Sequence, residues 1–191
     1  FPARNATNPA AAAAVPAAAS GDVDDADALF DLADDLRYFS RVGDLDEVRA
    51  TFASAAPFLR AAFPFAPQPP APALGEFAST KEPEGAGNSA AHFAAANGHD
   101  GVLACLIAAG AALNATNSSG NTPLHYAALN GHITCVKRLL ASGARAALVN
   151  DFEHTAMDEA AGKHPRVARL LMAWVEAHPE VADGGVDGEG D

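Results

Sequence analysis

Shifted by 33 residues along itself, the chain meets its own likeness: GNSAAHFAAANGHDGVLACLIAAGA at 87–111 falls on GNTPLHYAALNGHITCVKRLLASGA at 120–144. Gly87 and Gly120, His92 and His125, Asn97 and Asn130, Gly98 and Gly131, His99 and His132, Leu106 and Leu139, and Gly110 and Gly143 all coincide. A unit of this size cannot bury its own apolar face, so the copies must be stabilised by stacking on one another. A third copy, EHTAMDEAAGKHPRVARLLMAW, runs in register from Thr155 and loses two residues before Gly162. A degenerate fourth, DDLRYFSRVGDLDEVRATF, lies upstream with Gly43 under Gly131 and Val48 under Val136. The copies start at Asp34, Ser89, Thr122 and Thr155, spacings of 55, 33 and 33, so about 22 residues are inserted after the first.

Each copy reads as two short helices. The starts are all N-cap residue types, able to accept a hydrogen bond from an orphan backbone N–H. Pro123 follows Thr122 at the first helical position, where a missing N–H costs nothing. Gly43, Gly98, Gly131 and Gly162 turn the chain into the second helix, whose apolar face in the third copy is Ile133, Val136, Leu139 and Leu140. Gly110 and Gly143 end that helix. Thr122 and His125 stand one turn apart, as do Ser89 and His92, and both pairs fit the logic of a capping box. In the last copy the pair is Thr155 and Asp158, and an acid in place of an imidazole favours capping over catalysis.

At this point TPLHYAALNGHITCVKRLLASGA, with its T-P-L-H, A-A-x-x-G-H and L-L-x-x-G-A runs, resembles the ankyrin repeat. The resemblance implies an all-α ankyrin-repeat solenoid of four helix-turn-helix repeats, the outer ones degenerate capping repeats. The repeats fall at about 34–56, 87–119, 120–152 and 153–177, inside a domain of 22–177. Residues 57–86 are a Pro/Ala-rich insertion, 1–21 an Ala/Pro-rich disordered segment and 178–191 an acidic disordered tail. A narrower likeness rests on Arg41–Leu45, Ala94–His99, Gly120–Gly131 and the acids from Glu176 onward. In these the chain is similar to fungal ankyrin-repeat chaperones of the third protein of the small ribosomal subunit. That likeness implies a cytoplasmic and nuclear monomer that escorts a basic ribosomal protein. The long 57–86 insertion and a shorter acidic tail depart from it.

The resemblance also implies where a protein partner is held: the hairpin tips and the concave face of the first helices. Those positions are Arg41, Val42, Ala96, Asn97, Asn117, Ser118, Ser119, Asn121, Leu129, Asn130, Asp151 and Phe152. Phe93 and Tyr126, equivalent to each other, are open to two readings, as concave-face anchors or as packing between repeats. Glu153 departs from Gly87 and Gly120, which is costly if the backbone there is left-handed.

Charge decides which partners are favoured. Residues 22–47 carry ten acids against Arg37 and Arg41, and 176–191 carry six acids and no base, whereas 87–175 hold five acids and six bases. Acidic ends suit a basic protein and, with no basic stripe, disfavour direct nucleic-acid binding. The longest apolar stretch, from Val102 to Leu113, is about twelve residues where roughly twenty cross a membrane, so no membrane partner is expected. Metal is not expected either: His99, His132, Cys105 and Cys135 lack the clustered spacing of a structural zinc site. No phosphate-loop, dinucleotide or nucleophile-elbow motif occurs. The reading is a non-enzymatic protein-binding module without cofactor; a scaffold or inhibitor of a signalling or transcription protein, and an accessory domain of a longer enzyme, are the alternatives.

Overall fold

In the computed structural model, residues 23–61, 71–82 and 85–178 are described; 1–22, 62–70, 83–84 and 179–191, with the two expected disordered ends, lie outside them. The helices are α1 (Val23–Val42), α2 (Leu45–Ala61), α3 (Ala71–Ala78), α4 (Ala90–Asn97), α5 (Asp100–Ala108), α6 (Pro123–Leu129), α7 (Ile133–Ala141), α8 (Ala156–Ala161) and α9 (Pro165–Ala177). Among the described residues the only β pairing is the isolated antiparallel bridge between Val149 and Thr155. The chain is an all-α ankyrin-type solenoid in two layers. First helices α1, α4, α6 and α8 pack in order, second helices α2, α5, α7 and α9 pack behind them, and each pair closes on itself.

Residue size explains the layering. The first helices meet through Ala90, Ala91, Ala94, Ala95, Ala127, Ala128, Ala156 and Ala160, all buried, and side chains this small let helix axes approach closely. The second helices supply bulk: Val102, Leu103 and Leu106, then Val136, Leu139 and Leu140, then Val167 and Leu171, at helical spacing and buried. Each of those leucines contributes on the order of 2–3 kcal/mol by leaving water. Gly98 shows why the turn between layers needs glycine. Its φ is 76°, and a Cβ there would stand 2.6 Å from His132 Nδ1 of the next repeat. Gly162, by contrast, has a φ of −83°, so the last turn does not require a glycine.

One expectation changes at the N-terminal end. Asp34 was expected to start a helix, but α1 is a single helix of 20 residues and Asp34 lies inside it. Its carboxylate instead pairs with Arg37, three residues on. Arg37 stands in the register of His92 and His125; it is buried and its Nη1 donates to the Thr80 carbonyl at 3.3 Å. An Asp–Arg pair thus occupies the place of the Thr–His pair. The Pro/Ala-rich insertion is partly helical: α2 continues to Ala61, and α3 packs back on α1 and α2. Phe77 is buried on α3 with its ring edge-on to Phe52, centroids 5.9 Å apart. Phe63, Phe65 and the side chain of Phe58 lie outside the described residues.

Candidate functional site

The histidines that most resemble a catalytic cluster hold the stack together. Ser89 and Thr122 cap α4 and α6 with extended backbone, and each forms the reciprocal box with the histidine three residues on. The Ser89 N–H donates to His92 Nδ1 at 3.1 Å, and the Thr122 N–H to His125 Nδ1 at 3.2 Å. With Nδ1 accepting, the ring proton is assigned to Nε2. That second nitrogen donates forward into the next hairpin, His92 to the Asn121 carbonyl at 3.0 Å and His125 to the His154 carbonyl at 3.1 Å. Burial lowers the His92 pKa from 6.5 to about 4 and lowers that of His125, so both rings are neutral at physiological pH.

Thr155 and Asp158 form the same box at α8, where Asp158 accepts from both the N–H and the hydroxyl of Thr155. The carboxylate accepts but cannot donate, and the described residues hold no further hairpin to receive a donor. His99 and His132 bind the other way, backward: their Nε2 atoms donate to the carbonyls of Arg41 and Ala96, each at 3.0 Å. The cysteines are buried or half-buried thiols, and burial pushes the Cys135 pKa up to about 11 and raises that of Cys105. Among the described residues no three His, Cys, Asp or Glu side chains come together as a metal site.

The expected partner-contact residues divide into exposed and structural ones. Tyr38, although not among them, extends the row: it is 60% exposed and Val42 is 56% exposed on α1. Beside them the Arg41 guanidinium lies 4.1 Å from the centroid of the Phe93 ring, joining α1 to α4. Phe93 is therefore half-buried under a cation, packed between successive repeats. Tyr126 is more committed to packing, since its hydroxyl accepts from Asn117 and its ring stands edge-on to His92, centroids 6.0 Å apart. Ala96 and Leu129 are half-buried, and Asn97 and Asn130 are exposed. The Asn97 amide donates to the Phe93 carbonyl, and the Asn130 amide to the Ala96 carbonyl at 2.9 Å.

At the hairpins one residue is corrected outright. Asn117 was expected to face a partner; it is 7% exposed. Its Oδ1 accepts from the N–H groups of Ser119 and Asn121, and its Nδ2 donates to Asn88 Oδ1 and the Tyr126 hydroxyl. Asn150 does the same in the last hairpin, accepting from the N–H groups of Phe152 and His154 and donating to Asn121 Oδ1 and Glu159. Asn121 is thus half structural as well. Sequence reasoning overlooked Asn88 and Asn150, yet they stand 33 residues from Asn121 and Asn117, a signal the repeat itself carries. Ser118 and Asp151 are exposed and Ser119 is half-buried, and their backbones tie successive tips, Ser118 N–H to the Ala86 carbonyl and Asp151 N–H to the Ser119 carbonyl. Phe152 is 70% exposed at the last tip.

The charged surface contains one connection the repeat alignment does not reveal. Arg138 on α7 grips Asp100 on α5 through two parallel hydrogen bonds, 2.5 and 2.6 Å, which depress the Asp100 pKa. Glu153 has a φ of 62°, the one left-handed non-glycine among the described residues.

A family model described as ankyrin repeats, in three copies, matches residues 75–150 and 91–183. No curated protein matches the chain.

Proposed function

The chain belongs to the ankyrin-repeat family, whose stacks are protein–protein interaction modules, and from that premise we propose that it binds a basic protein and has no catalysis of its own. The observation that carries the reading is the row of exposed and half-exposed side chains along the first helices, Tyr38, Val42, Phe93 and Leu129, beside an α1 rich in acids. Tyr38 and Val42 are too exposed to serve the core, and apolar groups so presented favour a partner's apolar surface. Residues 22–47, with ten acids to two bases, attract lysine and arginine on the same partner. In the sharper form of the proposal the partner is a basic ribosomal protein, and the chain escorts it in cytoplasm and nucleus before small-subunit assembly.

Light scattering of purified basic ribosomal proteins, with and without the full chain, tests this. The chain should suppress aggregation at low salt and lose the effect as salt rises. Replacing Tyr38 and Val42 by serine should abolish the suppression without changing the helical circular dichroism. Suppression that survives both high salt and the double substitution would sink the reading.

A further inference from the structure

Between α7 and α9, on the layer away from the hairpin tips and first helices, runs a groove of about 380 Å³. Lys137, Leu140, Leu170, Ala173, Trp174 and Ala177 line it. Its floor is apolar, and among the described residues that line it the charged one is Lys137. The register of the two helices pairs Val136 with Val167, so α9, at 13 residues against nine in α7, runs past its neighbour. Trp174 and Ala177 therefore stand beyond the last turn of α7.

Most of the charges near the groove are basic, the one acid of α9 being the exposed Glu176, which is not among the lining residues. The α8 carboxylates are engaged on the hairpin side, Asp158 with Thr155 and Glu159 with Asn150 and His154. Arg138 is turned to Asp100. Lys137, Lys163, Arg166 and Arg169 are exposed, and none is in an ion pair among the described residues. Arg166 is four residues before Leu170 on α9 and so lies on the same helix face. The groove thus has a cationic end, with Lys137 on its wall and Arg166 just outside it on the same face of α9, and an apolar end, at Leu170, Trp174 and Ala177.

We propose that this groove docks an acidic amphipathic protein segment, its carboxylates on Lys137 and Arg166 and a bulky apolar side chain over Leu140, Leu170 and the Trp174 indole. A basic segment would meet uncompensated cations, and a purely apolar one would desolvate Lys137 without a counter-charge. The order of the two ends also sets direction, with acids toward the start of α9 and the apolar anchor toward its end. Because this surface lies on the opposite layer from Tyr38 and Val42, the acidic segment and a basic partner can be held at once.

The lone tryptophan, Trp174, makes the test direct. The full chain is titrated with a short helical peptide carrying two glutamates one turn ahead of a Leu-Phe pair, and both Trp174 emission and peptide anisotropy are followed. Saturable binding with a shift in Trp174 emission is expected. Lys137→Glu and Ala173→Gln should each weaken binding about tenfold or more, Lys163→Glu should leave it unchanged, and all three should keep native circular dichroism. The proposal is overturned by absence of saturable binding at millimolar peptide, by equal binding of a peptide with lysines for the glutamates, or by indifference to Lys137→Glu and Ala173→Gln. It is equally overturned, in favour of another occupant, in two cases. One is binding that appears only after Glu180, Asp183 and Asp187 are neutralised, which points to the chain's own tail. The other is a dimer dissolved by Lys137→Glu, which points to a second copy.

Discussion

Acidification tests the histidine ladder most directly. His92 is 1% exposed, and burial lowers its pKa to about 4 from the 6.5 it has in an open chain. A depressed pKa means that the unfolded chain binds more protons than the folded one between those two values, so stability is complete above 6.5 and drains as pH falls toward 4. At about pH 5 the unfolded imidazole is nearly all protonated and the folded one only about a tenth, a loss near 2 kcal/mol from this residue. His125, lowered by the same burial, adds in the same direction. For a stack of this length the His92 share is worth about 4–8 °C in melting temperature. Urea unfolding from about pH 8 to pH 5, followed by circular dichroism, reads it. A His92→Gln variant, which keeps a group able to accept from the Ser89 N–H, should be less stable at neutral pH and flatter across the window. The depressed carboxylates Asp100 and Asp158 lose their contribution only below their ordinary 3.8, so the two windows separate. A stability flat from pH 8 to 5, or a proton resonance of His92 titrating near 6.5, would refute the ladder.

Four further outcomes are checkable by urea midpoint. The Ser40 hydroxyl is buried with no hydrogen-bond partner among the described residues, where the sister repeats have Ala95 and Ala128, so Ser40→Ala should stabilise by about 1 kcal/mol. Glu153→Gly should also stabilise by about 1 kcal/mol by relieving a left-handed side chain. Gly120→Ala should cost more than Glu153→Gly gains, because its Cβ would also stand 2.6 Å from Asp151 Oδ1 and 2.7 Å from the Asp151 backbone nitrogen. Leu139→Ala, which empties a fully buried site between α7 and its neighbours, should cost about 2–5 kcal/mol; a cost under 1 kcal/mol would mean that the second helices do not carry the core.

The repeat period, the two-helix unit, the caps at Ser89, Thr122 and Thr155, and the apolar stripe of the second helices were all written in residues close along the chain. Local pattern reports such features because helix starts and faces depend on neighbours three or four positions away. What stacking adds could not be read the same way. That His92 and His125 donate forward and His99 and His132 backward, that Arg37 reaches Thr80, and that Arg138 grips Asp100 all depend on partners 29 to 58 residues distant, and the buried Asn117 joins nearby groups to Asn88, 29 residues back. The Asp34 reading failed for a local reason: an N-cap residue type starts a helix only where the chain before it is not already helical, and α1 continues through it. What each unit must be is set by residues within a few positions of one another. Which of its polar groups the neighbouring unit consumes is settled by stacking, because a hydrogen bond between repeats exists only once the apolar faces have set their spacing.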